Sequence, residues 1–170
     1  MNPNGRIIVA ALSLSAMGLV GLALDESYTS SAVIPTKGDV PTLGFGSTTH
    51  ADGRPVRLGD TTTPAKALAR TLQYLQVDEA DMRQTLQGVA LHQAEYDVYI
   101  DWRYQYGASA WRGSSMLREL RAGNYPAACQ ALLKYRFSDG FDCATPGNRV
   151  CAGVWTRQQA RHAQCMAAQS

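Results

Sequence analysis

Residues 24–49, LDESYTSSAVIPTKGDVPTLGFGSTT, carry the first structural signal of the chain. An acidic pair, Asp25-Glu26, closes a long charge-free run, and the segment after it is rich in Gly, Pro, Thr and β-branched residues. Ala32-Val33-Ile34 and Val40-Pro41-Thr42-Leu43-Gly44-Phe45 read as two short strands about a turn at Thr36-Lys37-Gly38-Asp39. Pro35 and Pro41 cannot donate to a ladder, so the strands belong to a small, irregular, edge-like sheet.

A helix that ends at such a hairpin lets Glu26 face a carboxylate, Asp39, and a hydroxyl, Thr42. Cleavage of a glycosidic bond needs that set: one carboxylic acid protonates the leaving oxygen, while a second group positions water or stabilises positive charge. An apolar setting would keep Glu26 protonated near neutral pH. Each residue also has a plainer reading. Asp25-Glu26 can be a polar stop after an apolar segment, Asp39 a turn residue bonding its own backbone, and Thr42 a residue chosen for strand propensity.

Ile7 to Leu24 are 18 consecutive positions without a charge, behind a polar leader, Met1 to Arg6, with a single positive side chain. As one helix the run spans roughly 27 Å, just enough for a bilayer core. The position of Arg6 orients the N-terminus inside and the remainder outside. Eight of the 18 residues are Gly, Ala or Ser, so insertion is marginal. Three readings stay open: a cleaved signal peptide, a permanent anchor and a reversible signal anchor, the last fitting the weak hydrophobicity best. The expected division is therefore an anchor segment, 1–24, and a catalytic domain, 25–170.

At 45% hydrophobic and 18% charged the 170-residue chain is globular, and a net charge of +2 gives no case for nucleic acid. His50, His92 and His162 are scattered without ligand spacing, so no metal or other cofactor is expected. Gly44-x-Gly46 lacks the third glycine and the lysine of a phosphate loop. The four cysteines fall in the last 42 residues without metal-site spacing. Two disulfides are expected, Cys143–Cys151 closing a short loop and Cys129–Cys165 joining two helices, although three pairings are possible.

Beyond the hairpin, helices take over. Thr63-Pro64 opens a helix whose apolar face carries Leu68, Leu72, Leu75, Met82 and Leu86. A second helix covers Leu91 to about Tyr106, and its aromatic residues, Tyr96, Tyr99, Trp102, Tyr104 and Tyr106, read as core. Ser115 caps a shorter helix ending at Gly123, Asn124-Tyr125-Pro126 starts another, and Thr156-Arg157-Gln158-Gln159 opens the last. The layout is α+β, a small β lobe with a larger helical lobe behind an N-terminal apolar helix.

Glu26 and Thr42-Leu43-Gly44-Phe45-Gly46-Ser47-Thr48-Thr49 resemble the catalytic start of phage-type lysozymes, glycoside hydrolase family 24. Gln93 to Arg121, Gly123-Asn124-Tyr125 and Gly147-Asn148-Arg149-Val150-Cys151-Ala152-Gly153 resemble later motifs in the same order, so the likeness runs from about residue 25 to the C-terminus. Residues 7–24 extend it to signal-anchor-release endolysins. The resemblance implies a lysozyme-like fold and muramidase action on peptidoglycan, between N-acetylmuramic acid and N-acetylglucosamine. It further implies a monomer tethered to the host inner membrane through residues 7–24, then released to the periplasm. A lytic transglycosylase and an inactive wall-binding module are the alternatives. One departure stands out: the family's acid, separated from Glu by eight residues, falls on Pro35, and the Glu-to-Thr interval is one residue longer. Asp39 is the acid left to take that role, with Thr42 positioning water. While 7–24 lie in lipid, Glu26 cannot dock, so the tethered form is expected to be inactive.

Overall fold

The computed structural model describes residues 5–35 and 38–169, so Met1–Asn4, half of the Thr36–Asp39 turn and Ser170 lie outside it. Two compact units emerge, one formed by residues 15–80 and the other by residues 1–14 with 81–170.

In the 15–80 unit, α1 (Ala16–Glu26) starts at Ser15, whose hydroxyl accepts from the Gly18 amide at 3.0 Å. The strands β2 (Thr29–Val33) and β3 (Thr42–Gly44) pair antiparallel, Thr29 opposite Gly44 and Val33 opposite Thr42. Four steps along β2 thus face two along β3, a bulge that takes up additional chain between Glu26 and Thr42. Next comes α2 (Pro64–Thr85), opened as expected by Thr63, whose hydroxyl accepts from the Lys66 amide at 3.4 Å. Ala67, Leu75, Met82 and Leu86 are buried, but Leu72 is not.

In the other unit, β1 (Ile7–Ile8) pairs antiparallel with β4 (Ala90–Leu91). The central α3 (Gln93–Arg112) buries Tyr96, Tyr99, Ile100 and Trp102 completely, which makes the aromatic helix a core helix, with Tyr104 and Tyr106 half-buried. Around it lie α4 (Ser115–Arg121), α5 (Tyr125–Ala131), a hairpin of β5 (Phe137–Ser138) and β6 (Phe141–Asp142), and α6 (Ala152–Ala167). Both expected disulfides form: Cys129–Cys165, joining α5 to α6, and Cys143–Cys151.

Four expectations are corrected. Residues 7–24 are not one apolar helix. Ile7–Ile8 form a strand, Val9–Ala11 a 3-10 turn, and helix begins only at Ala16. The backbone is bent by specific partners: Val9 N donates to Val89 O at 2.9 Å, Arg83 to Leu12 O at 3.0 Å and Gln93 to Ser13 O at 2.8 Å. Among the described residues no helix is long and apolar enough to cross a membrane. The second helix runs on through Gly107, whose φ of 83° kinks it without ending it. The cap of α4 is Ser114, accepting from Leu117 N at 3.1 Å, rather than Ser115. The last helix starts four residues before Thr156, whose hydroxyl donates back to Ala152 O at 3.1 Å.

Candidate active site

Glu26 is the last residue of α1. Ser27 follows with φ 56° and ψ 151°, a conformation that side-chain-bearing residues rarely adopt, and it redirects the chain from the helix into β2. The carboxyl group of Glu26 is thereby left at the corner between helix and hairpin, half-buried.

Opposite it, the chain reverses within three residues. Leu43 N donates to Ser47 O at 2.9 Å and Ser47 N to Leu43 O at 3.0 Å, closing the loop Gly44-Phe45-Gly46. Both glycines are required by geometry. A Cβ on Gly46, at φ 77°, would stand 3.2 Å from Glu26 Oε2, so the acid lies against bare backbone. A Cβ on Gly44, at φ 68°, would stand 2.7 Å from the Cβ of Ala67 on α2. Tyr28 and Phe45 brace the corner, their rings 5.5 Å apart, while the Tyr28 hydroxyl donates to Thr62 O at 3.1 Å.

The ladder has two ends. The Thr29–Gly44 pair lies next to Glu26, and the Val33–Thr42 pair lies two residues further along β3, about 7 Å by strand rise. Thr42, half-buried, directs its hydroxyl to Val33 O at 3.5 Å. Asp39 is exposed in the loop beyond that far end. The structure therefore brings Glu26 to the Gly44–Ser47 loop, sets Thr42 at the other end of the short strand, and leaves Asp39 past it.

Sequence reasoning did not identify Gly46 as the residue that admits the acid, although Gly44-x-Gly46 was visible. Nor did it find the strained Ser27 or the Tyr28–Phe45 brace, which carry no local pattern. Two cavities flank the hairpin. An apolar one of about 430 Å³ is bounded by Leu19, Val20, Leu24, Tyr28, Phe45 and Leu68. A more polar one of about 400 Å³ lies among Leu43, Ser47, Thr49, Lys66 and Arg70. Glu26 lines neither of these two. Donor atoms of Glu95, Cys129 and Cys165 lie within 4.8 Å of one another, but both sulfurs are spent on a disulfide.

The chain is similar to known proteins. A phage lysozyme family profile matches residues 25–161. The endolysin of Salmonella phage P22 is 34% identical over 125 residues, 74% of this chain and 84% of that protein. Among solved structures, a variant of P22 lysozyme superposes with a TM-score of 0.74 at 28% identity, over 91% of this chain and 99% of that one. The active form of the P1 phage endolysin Lyz gives a TM-score of 0.74 at 16% identity, over 95% and 89%, a likeness of fold.

Proposed function

The chain belongs to the phage lysozyme family, and from that premise we propose how its own residues carry the reaction. It is a glycoside hydrolase, a muramidase endolysin acting on the β-1,4 bond between N-acetylmuramic acid and N-acetylglucosamine of peptidoglycan. Glu26 is the proton donor. The observation that carries this assignment is its carboxyl held against the Gly46 backbone at the helix–hairpin corner.

In our reading the glycan lies along β3 with its scissile oxygen at Glu26. Protonation of that oxygen releases the leaving sugar and develops positive charge on the ring left behind. Thr42, about 7 Å along the strand, orients the attacking water from the other end. Asp39 supplies negative charge from beyond that end. Hydrolysis of the wall then lyses the host cell.

The membrane step is also our proposal. Supporting it are the 18 charge-free residues after Arg6 and their marginal hydrophobicity. The enzyme is held inactive at the inner membrane through residues 7–24, facing the periplasm, and acts there as a monomer after release. A stretched helix through residue 24 cannot coexist with the strand and turn at residues 7–11.

Glu26→Gln tests the catalytic assignment by turbidity clearing of permeabilised Gram-negative cells, with product masses. Clearing should fall by about 10²–10⁴-fold with unchanged melting temperature, and the wild-type products should carry reducing ends. Anhydro sugars would indicate a transglycosylase instead, and undiminished clearing by the variant would remove Glu26 from the mechanism.

A further inference from the structure

Arg6, the one cationic side chain ahead of the charge-free run, packs against α3 with 9% of its side chain exposed. Its Nε donates to Glu95 Oε2 at 3.2 Å, and its Nη2 to Glu95 Oε1 at 3.3 Å and to Gln169 Oε1 at 2.7 Å. The guanidinium also stacks on Tyr125, 3.8 Å from the ring centre. Glu95 has no exposed side-chain surface, so Arg6 is its neutralising partner in a place water does not reach.

The same cluster encloses a disulfide. Gln169 Nε2 donates to Glu95 Oε1 at 2.7 Å and to Cys165 O at 3.0 Å, and lies 3.5 Å from Cys129 Sγ. The Tyr99 hydroxyl lies 3.3 Å from Cys165 Sγ, and both cysteines are fully buried. Burial, and to a lesser degree the Glu95 charge, push the Tyr99 hydroxyl up, so it stays protonated. Residues following Arg6 complete the closure: β1 pairs with β4, Val9 is 0% exposed and Leu12 3%.

We propose that Gly5–Leu12 is a detachable strap that closes this unit over the Cys129–Cys165 disulfide, with Arg6 on Glu95 as its clasp. The strap docks only when it is out of lipid, because a membrane helix would withdraw Ile7, Ile8, Val9 and Leu12 from every contact named above. The chain thus has a closed, reduction-resistant state with the strap docked. It has an open, reducible state with the strap withdrawn and Glu95 lacking its cation. The physiological trigger rests on the tether reading given above; the clasp does not.

The test follows reduction of each disulfide in the full-length protein by dithiothreitol, which is itself oxidised to its cyclic disulfide while two cysteine thiols form. Alkylation and mass spectrometry read both bridges, Cys143–Cys151 serving as the internal reference. Arg6→Gln should speed reduction of Cys129–Cys165 roughly tenfold or more, by local opening, and leave the reference rate unchanged. Adding Glu95→Gln should recover most of the protection, since a neutral amide leaves no charge unpaired. Arg6→Lys, which keeps the charge, guards against a variant that fails to fold and should fall between wild type and Arg6→Gln. An Arg6→Gln rate equal to wild type, or a double variant as labile as the single, overturns the clasp. A final arm compares wild type inserted in anionic phospholipid vesicles with wild type in solution. Equal slow rates there, with the solution variants behaving as stated, would retain the clasp and reject the tether.

Discussion

Ile7–Leu12 and Ala16–Leu24 come from one charge-free run of similar composition, and both leave apolar residues exposed, Ile7 and Ile8 among them, yet they are anchored differently. In the first half Val9 and Leu12 are buried, and the backbone is tied to Val89 and Arg83. In the second, Met17 is 78% exposed and Leu24 76%, and only Leu22 is buried. Hydrophobicity therefore did not decide which half is covered; the partners available to each did. The first half finds a free edge at β4 and donors at its bend. The second keeps one side chain inward and presents Glu26 at its end.

The sharpest way to break that contrast is to truncate one apolar residue in each half. Leu12→Ala should cost about 2–5 kcal/mol and Leu24→Ala less than about 0.5 kcal/mol, read by urea denaturation. Equal losses would show that exposure in this fold does not report packing. The presenting role of the second half is tested by Gly46→Ala. The added methyl meets Glu26 Oε2 and sits at positive φ, so clearing activity should drop roughly tenfold while the fold persists.

The host of the first half has its own acid dependence. Burial works against ionisation of Asp81, but hydrogen bonds from Arg112 and Arg103 outweigh it and hold the carboxyl below the usual range. A lowered folded-state pKa contributes stability above the ordinary Asp value, about 4, and that stability is lost as pH falls through the folded value. Thermal scans from pH 6 down to 2 should show a fall that Asp81→Asn reduces. The smallest effect is a gain. Ser27→Gly should raise stability by about 1 kcal/mol, because glycine adopts φ 56° and ψ 151° without the strain that serine bears. A loss instead would mean that the serine side chain anchors the turn after Glu26.

Much of the site was legible because its signals are local. Thr63 caps its helix through its own hydroxyl, as its place before Pro64 announced, while the Ser15 cap and the reversal at Gly44-Phe45-Gly46 were not read in the sequence. The acid stands out by following a run without charges. Local reasoning runs out at longer range: the bulged register that pairs Val33 with Thr42, and so sets Asp39 in the loop beyond that end, carries no signal in the sequence. Thr156 shows the same limit, since its capping pattern lies inside a helix already begun at Ala152, just after the disulfide-bonded Cys151.

What the sequence by itself determined is the list of ingredients: an acid after an apolar run, a short hairpin, capped helices and four cysteines whose even number favoured two bridges. Tertiary structure alone decided that the apolar run would split into strand, turn and helix. It also decided that Arg6 would neutralise a glutamate 89 residues away. The physical reason is that caps and turns satisfy groups within a few residues, while a buried charge or an open strand edge is satisfied by whichever distant group the fold brings to it.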